Sequence, residues 1–298
     1  MKYKTRRYFF YYCLKILFFF ISRVPLKAAY AIAELGGMAA FAFARKYRDA
    51  AIANLDAVFS EDHASNVKIA KKMFINIAKN GAEWIKLYST PPRGLGRFVT
   101  ALEGRENLDR VWAEGRGVLA IGYHFGNWEL MPAYLRQLGY NGAVVGKKIY
   151  FHKYDKLLTG LRERFGLKTI YRDESPRKML RELKRGNILG IVPDQDVDSI
   201  DGVFVDYFGR PAHTPVAPVK LAMAAGTKIV PTLVVRKADN THKLVFEKPI
   251  GPDSWEGATD DDIVRYTQEW TSVLEKYVRE YPEQWVWLHE RWKTGRES

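Results

Sequence analysis

The chain has 298 residues, of which 47% are hydrophobic and 14% aromatic, and its formal net charge at pH 7 is +13. A chain of this length and apolar content can bury a full core, so we expect one α/β domain with an N-terminal extension. Its single cysteine, Cys13, excludes an intrachain disulfide and any cysteine metal cluster. The aromatic content suits a protein that meets a membrane interface.

The positive charge is concentrated at the N-terminus. The first 48 residues hold ten Lys or Arg and one acidic residue, Glu34, so +9 of the +13 lies there. These charges flank the apolar run YFFYYCLKILFFFISRV, from Tyr8 to Val24. A basic start before such a run is typical of a membrane anchor, and the positive-inside rule places the body of the protein on the cytoplasmic side. We therefore predict a membrane partner, and we do not predict nucleic acid, the other partner open to a basic chain.

The anchor helix is predicted over residues 1–25. The apolar run is short for a bilayer crossing and contains Lys15, so whether the helix spans the bilayer or lies in the interface stays open. Ser22-Arg23-Val24-Pro25 is a poor cleavage site, which indicates a retained anchor and not a removed signal peptide. The remainder, residues 26–298, is predicted as a single α/β domain.

The first part of that domain, residues 26–92, is predicted to be helical. The Ala-rich stretch from Leu26 to Tyr47 indicates a helix packed on the anchor or at the membrane surface. From Asp62 to Tyr88 apolar residues repeat at spacings of three and four, which is typical of a helix that buries one face in the core. Pro91-Pro92 ends this second helix.

The stretch GVLAIGYHFGNWELMP, from Gly117 to Pro132, contains the first candidate site. Val118 to Ile121 predicts a buried strand, a helix follows, and His124 lies between them. Glu129 is five residues further on, a spacing that only a turn brings together. A carboxylate beside an imidazole fixes its tautomer and makes it a usable general base. We therefore predict His124 as the base and Glu129 as the group that orients it, with an ordinary turn histidine as the alternative.

After this stretch, predicted strands and helices alternate to the end of the sheet region. Strands are expected at 143–145, 168–171, 187–192, 228–236 and 243–247, and helices at 154–165, 176–184 and 214–225. This alternation implies a mainly parallel central sheet flanked by helices. Because sites in such sheets form beyond the carboxyl ends of strands, His124 and Asp194 are placed at that edge.

A second candidate site is the acidic stretch PDQDVDSIDGVFVDYFGRP, from Pro193 to Pro211. A calcium loop starting at Asp194 would need Gly at its sixth place and Glu at its twelfth, where Ser199 and Val205 stand. A metal-holding D-x-D of a nucleotide-sugar enzyme and a solvated acidic loop both stay open here. No G-x-S-x-G or H-E-x-x-H occurs in the chain, which argues against a serine hydrolase and a zincin.

Three separated motifs resemble one family. HFGNWE, from His124 to Glu129, looks like the H-x4-D/E box of glycerolipid-type acyltransferases. The acidic stretch with the downstream PVAPVKLAMAAGTKIVPTLVVRK, and the tail YPEQWVWLHERWK from Tyr281 to Lys293, are similar to the bacterial lipid A biosynthesis acyltransferases, the lauroyl and myristoyl transferases. The resemblance implies a glycerolipid acyltransferase-like fold and transfer of a fatty acyl chain from acyl carrier protein to a hydroxyl of a lipid A precursor. It further implies the bacterial inner membrane as the location, with no metal and no cofactor.

The same resemblance suggests substrate-binding residues. Lys147 and Lys148, with Arg162 and Arg164 behind them, are candidates for contacting the reacting carbonyl oxygen or the carrier's phosphate. Asp194, Gln195 and Asp196 match the family's D-Q-D motif, whose carboxylates either bind sugar hydroxyls or pair with Arg172 or Arg177. The tryptophans of the tail, Trp285, Trp287 and Trp292, are expected to pack it onto the body or the membrane interface.

Two other functions remain open from the sequence. One is the same chemistry on another glycolipid, as in the phosphatidylinositol mannoside acyltransferases, which share the H-x4-D/E box and use acyl-CoA. The other is a non-enzymatic membrane adaptor on this fold, for which His124→Ala would leave function intact.

Overall fold

A computed structural model describes residues 2–60 and 62–295 of the chain. The first residue of the predicted anchor, and residue 61 and the last three residues of the predicted main domain, lie outside these ranges. Three helices come first, α1 (Lys2–Arg23), α2 (Leu26–Phe43) and α3 (Arg45–Val58). The long helix α4 (His63–Ser89) contacts all three, and its N-terminus is capped by Asp62, whose side chain accepts a hydrogen bond from the Ser65 amide at 3.0 Å.

The rest of the chain builds the sheet and its covering helices, in this order. After a 3-10 helix (Pro92–Arg97) come β1 (Val99–Glu103), α5 (Arg105–Ala113), β2 (Val118–Ile121), α6 (Leu130–Gln137), β3 (Gly142–Gly146), α7 (His152–Arg164), β4 (Lys168–Tyr171), α8 (Pro176–Lys184) and β5 (Ile188–Ile191). Then follow β6 (Gly202–Tyr207), β7 (Arg210–Pro215), α9 (Ala217–Ala225), β8 (Ile229–Arg236), β9 (His242–Phe246), α10 (Asp260–Glu280) and a second 3-10 turn (Pro282–Gln284).

Seven of the strands form one sheet in the order β1-β9-β8-β2-β5-β3-β4. All its neighbours are parallel except β8 and β9, while β6 and β7 form a separate antiparallel hairpin. Every residue of the central strands β2 and β8 is buried, as expected of strands covered on both faces. The predicted mainly parallel sheet flanked by helices is therefore confirmed.

Some element bounds differ from the predicted ones. The single helix expected from Leu26 to Tyr47 breaks at Ala44, which separates α2 from α3. The acidic stretch from Pro193 to Pro211 is not a continuous loop, because its second half forms β6 and the start of β7. The helix expected over 214–225 begins only at Ala217, since Thr214 and Pro215 belong to β7.

The N-terminal helices leave large apolar side chains exposed. On α1, Phe9, Phe19 and Phe20 are at least half exposed. Tyr8 of the same helix packs edge-on against Phe151 at the start of α7, with ring centroids 5.3 Å apart. Among the described helices, α2 is the one long and apolar enough to cross a membrane, whereas α1, in which the anchor was predicted, carries six Lys or Arg within its 22 residues.

Candidate active site

The site is built where β2 and β5 end. These strands are parallel neighbours, with Val118 beside Ile188 and Ile121 beside Ile191. Because they run in the same direction, the residues that follow them reach the same edge of the sheet. His124 follows β2 by three residues and Asp194 follows β5 by three residues. The fold therefore brings together two side chains that are 70 residues apart in the chain.

His124 and Asp194 form a hydrogen-bonded pair. The imidazole Nδ1 lies 2.7 Å from Asp194 Oδ1, and the backbone amide of His124 donates to Oδ2 at 3.0 Å. An ionised carboxylate only accepts hydrogen bonds, so Nδ1 carries the proton and Nε2 is the nitrogen left to accept one. The pair therefore has the arrangement of a histidine general base with a carboxylate behind it.

The electrostatics of the pair favour the charged form of the imidazole. Burial alone would lower the pKa of His124, but the charge of Asp194, its hydrogen bond and the charge of Glu129 outweigh burial and raise that pKa above its ordinary value. Burial would raise the pKa of Asp194. The charge of His124, together with the hydrogen bonds that His124 and the Trp285 indole donate to the carboxylate, lowers that pKa instead. Asp194 is thus an ionised carboxylate whose side chain is only 1% exposed.

The partner predicted for His124 is not the one that it has. Glu129 faces Arg162 of α7, which holds it through two bonds, Nε to Oε2 at 3.0 Å and Nη2 to Oε1 at 2.6 Å. Helix α6 begins at Leu130, so Glu129 stands at its N-cap position and not in its first turn. The expectation that Glu129 orients the imidazole is wrong, because Asp194 already occupies Nδ1 and the Arg162 fork fixes Glu129. Glu129 acts on His124 through its charge.

The turn after His124 is fixed by close packing and by buried polar groups. Gly126 has φ of +55°, and a Cβ there would lie 1.7 Å from the Val234 carbonyl oxygen, so only glycine fits. The side chain of Asn80 on α4 donates to the Gly126 carbonyl at 2.6 Å, and buried Asn127 donates to Glu83 Oε2 at 2.6 Å. The conformation of the HFGNWE turn is therefore determined by α4 and β8.

A cavity of about 1130 Å³ adjoins the pair. Its polar lining includes His124, Glu129, Lys147, Arg162 and Gln195, all of which were named as candidates from the sequence. Arg172 and Arg177, named from the sequence only as possible carboxylate partners, also line it. Most of the remaining lining is apolar and comes from the helices and strands around the site, including Met131, Leu135, Val144, Leu158, Leu167, Met179, Leu180, Ile188 and Leu221.

Three predicted substrate-binding residues have other partners. Lys148 lies over the ring of Tyr171, 5.8 Å from its centroid, and Arg164 donates to the Thr90 carbonyl at 3.4 Å. Asp196 is fully buried and accepts two bonds from Thr294, from the amide at 2.9 Å and the hydroxyl at 2.7 Å. Neither carboxylate of the D-Q-D motif pairs with an arginine as the sequence allowed, since Asp194 holds His124 and Asp196 holds the C-terminal segment.

The acidic stretch does not gather its carboxylates around one point. Asp198 lies 3.3 Å from Lys293, Asp201 lies 2.6 Å from Lys220, and Asp206 accepts from the Gly209 amide at 3.1 Å. Within residues 2–60 and 62–295, no group of three His, Cys, Asp or Glu is placed to hold a metal ion. The described geometry thus gives a calcium loop or a metal-bound D-x-D no ligand set.

The C-terminal tryptophans pack as predicted. Trp285 and Trp287 are buried with ring centroids 4.7 Å apart, and Trp292 stacks on Tyr207. One contact was not predicted: the Trp285 indole N–H donates to Asp194 Oδ2 at 2.9 Å. The sequence gives no local signal for it, because the two residues are 91 positions apart.

Comparison with known proteins identifies the class. The sequence model of one family, the bacterial lipid A biosynthesis acyltransferases, matches residues 1–294. The chain is therefore an acyltransferase, an enzyme and not an adaptor. It belongs to the bacterial lipid A biosynthesis acyltransferase family, as the three motifs of the sequence suggested.

Individual relatives are similar at low identity over most of their length. The lipid A biosynthesis lauroyltransferase of Escherichia coli is 27% identical over 285 residues, which is 93% of this chain and 89% of that protein. The lipid A biosynthesis myristoyltransferase of the same organism is 25% identical over 88% of this chain and 80% of that protein. The phosphatidylinositol mannoside acyltransferase of Mycobacterium tuberculosis is 23% identical over 74% of this chain and 70% of that protein.

Proposed function

We propose that this acyltransferase moves a fatty acyl chain from acyl carrier protein to a hydroxyl of a lipid A precursor, with His124 as the general base. The observation that carries the proposal is the His124–Asp194 pair beside a large, mostly apolar cavity. Two of the similar proteins are named as lipid A lauroyl- and myristoyltransferases, which favours this acceptor.

The proposed reaction follows from the protonation of the pair. Nδ1–H of His124 donates to Asp194, so Nε2 takes the proton of the acceptor hydroxyl while its oxygen attacks the thioester carbonyl. The C–O bond forms, and the tetrahedral intermediate then collapses with cleavage of the C–S bond. The imidazolium, stabilised by buried Asp194, returns its proton to the departing thiolate. No metal or cofactor takes part in these steps.

The cavity supplies sites for both ends of the substrates. Its apolar walls would bury the acyl chain, at about 0.8 kcal/mol for each buried methylene. Lys147, Arg162 and Gln195 line the same cavity as His124 and are the proposed contacts for the carbonyl oxygen and the polar head groups. Glu129 contributes by fixing Arg162 and by its charge on His124.

The proposed location is the inner membrane, with the site facing the cytoplasm. The exposed aromatic side chains of α1 and the apolar helix α2 are the surfaces that would enter the lipid. Arg45, Lys46 and Arg48, at the start of α3 just beyond α2, would face anionic headgroups on the cytoplasmic side.

A second candidate is acylation of another glycolipid from acyl-CoA. The similarity to a phosphatidylinositol mannoside acyltransferase favours it, and the proposed proton transfer would be the same. The two candidates differ in acceptor and donor and not in the role of His124.

The test is acyl transfer by the purified protein in detergent. Laurate and myristate are offered on acyl carrier protein or on CoA, with a tetra-acylated lipid A precursor or, in parallel, a mannosylated phosphatidylinositol as acceptor. We expect a product with one added chain, lost in His124→Ala and retained in His152→Ala, a matched change of an exposed histidine at the start of α7. Reaction only with mannosylated phospholipids would replace the first candidate by the second. Activity surviving in His124→Ala would contradict the role of His124.

A further inference from the structure

The C-terminal segment, residues 281–295, runs along the turn that carries His124. The Gly126 amide donates to the Gln284 carbonyl at 2.9 Å, and the Val286 amide donates to the His124 carbonyl at 3.1 Å. These bonds flank an antiparallel bridge between Phe125 and Trp285. The segment is thus paired to the backbone of the catalytic turn itself.

Trp285 reaches past this turn to the carboxylate behind His124. Its indole N–H donates to Asp194 Oδ2 at 2.9 Å, and the residue is 2% exposed. The ring lies edge-on to both Tyr207 and Trp287, with centroids 5.6 and 4.7 Å away. Packing therefore fixes the direction of the N–H.

The carboxylate needs more than its bond to the imidazole. Rotation about the terminal torsion of an aspartate is broad and has no sharp minima, so hydrogen bonds must set the plane of the carboxylate. Oδ1 accepts from His124 Nδ1, while Oδ2 accepts from the His124 amide and from Trp285. Both donors from His124 move with the turn, and the indole is the donor from a separate element.

We propose that Trp285 is a positioning residue for acyl transfer, its indole N–H fixing the plane of the Asp194 carboxylate and so the imidazole ring of His124. This rests on the proposed role of His124 as general base. The indole touches no reacting atom, and its effect reaches the substrate through Asp194 and His124.

The test compares Trp285→Phe with Trp287→Phe in the full-length protein. Both residues are buried in the same segment, and both lose an indole N–H, but that of Trp287 donates to the Pro282 carbonyl at 2.7 Å and not to Asp194. We expect Trp285→Phe to lower kcat about tenfold with KM for acceptor and donor unchanged, since loss of the hydrogen bond to the Asp194 carboxylate loosens the imidazole without touching either substrate. Trp287→Phe should lower the melting temperature similarly and retain kcat.

A second measurement does not need substrate. Histidine NMR titration follows His124 in detergent, where Asp194 and Glu129 are the charges that act on it. We expect the pKa of His124 to fall in Trp285→Phe, because a mobile Asp194 carboxylate stabilises the imidazolium less. In Trp287→Phe the pKa of His124 should stay unchanged. If the wild-type protein transfers no acyl chain, the proposed function fails while this titration still tests the positioning.

Replacement of Trp285 by benzothienylalanine, which has sulfur in place of the N–H and nearly the same shape, serves if the phenylalanine variant does not fold. Unchanged kcat and an unchanged or raised pKa of His124 after loss of the N–H would overturn the proposal. An equal loss of kcat in Trp285→Phe and Trp287→Phe would overturn it as well, since only one of the two touches Asp194.

Discussion

In the proposed reaction, the acceptor hydroxyl gives its proton to Nε2 of His124, because Nδ1 is already hydrogen-bonded to Asp194. Asp194 makes that nitrogen the protonated one and stabilises the cation that forms, and its own burial keeps the interaction from being screened. Glu129 adds negative charge nearby without a hydrogen bond to the ring, since Arg162 holds both its oxygens. At the scale of single residues, the two carboxylates therefore have separate tasks.

Replacing Asp194 by Asn should lower kcat by about a thousandfold, because an amide that donates to Nδ1 stabilises the tautomer that cannot act as base. The raised pKa of His124 places the acidic limb of the rate profile above the ordinary histidine value, and it should move to lower pH in this variant. The measurement is kcat/KM against pH. Asp196→Asn, which touches Thr294 and not His124, is the control and should keep the profile. An unshifted limb in Asp194→Asn would contradict the assignment.

The Glu129–Arg162 pair makes a prediction in two directions. Glu129→Gln removes a negative charge and should lower the pKa of His124, whereas Arg162→Gln leaves Glu129 unneutralised and should raise it. The acidic limb of kcat/KM should move to lower pH in the first variant and to higher pH in the second. Histidine NMR titration checks the same shifts without substrate. Movement of both variants in one direction would show that the pair acts by structure and not by charge.

The turn that carries His124 is held by helix α4, which supplies no reacting group to the cavity. Glu83 of α4 is fully buried and binds Arg236 of β8 and Asn127 of the turn, and it also accepts from the Tyr30 hydroxyl of α2. Burial would raise the pKa of Glu83, but the charge of Arg236 and the hydrogen bonds from Arg236 and Asn127 lower it instead. One carboxylate thus joins the N-terminal helices, the sheet and the turn that carries His124.

Glu83→Gln should destabilise the protein by about 3 to 5 kcal/mol, because it leaves the guanidinium of Arg236 buried without a counter-charge. The measurement is the free energy of unfolding by urea in detergent. Glu34→Gln, which breaks the half-exposed pair with Lys79 at 3.5 Å, is the control and should cost less than about 1 kcal/mol. Equal losses in the two variants would refute the assigned importance of the buried ion pair.

Elements with a strong local pattern were predictable, and those defined by partners were not. β2, β4 and α8 begin and end where the apolar pattern and flanking Gly and Pro residues predicted. Helix α10 was not predicted, although Thr259 and Asp262 form a capping box ahead of a regular apolar stripe. The β6–β7 hairpin was not predicted, because its acidic residues are typical of a solvated loop. It turns through Phe208 and Gly209, both with positive φ.

The candidate site shows the same limit. That His124 and Asp194 lie at the carboxyl edge of the sheet follows from the alternating pattern, but that they touch depends on β2 and β5 being neighbours. Strand order is not contained in local spacing, so the sequence favoured Glu129, the nearer carboxylate. The Trp285 contact depends in addition on where the C-terminal segment packs.

At the scale of the whole molecule, three buried or half-buried groups make stability depend on pH with different signs. His124, with its raised pKa, contributes stability that is lost as pH rises above the ordinary histidine range. Asp194 and Glu83, with lowered pKa values, contribute stability that is lost in acid, around and below the ordinary carboxylate range. Between these two pH ranges, a fourth group, His242, makes the main contribution to the change in stability.

His242 is fully buried beside Glu83 and Arg236, and burial together with the Arg236 charge lowers its pKa from 6.5 to about 4, against the opposing charge of Glu83. As pH falls below 6.5 the unfolded chain takes up a proton that the folded protein does not, so the folded state loses stability. We expect the free energy of unfolding to fall by about 1.5 kcal/mol between about pH 6.5 and pH 5 from this residue alone. His242→Asn, whose amide can still donate to the Phe98 carbonyl that Nδ1 contacts at 3.1 Å, should flatten that slope, while His152→Asn should leave it unchanged. Urea titrations at a series of pH values measure the slope, and an equally steep fall in His242→Asn would show that the proton goes elsewhere.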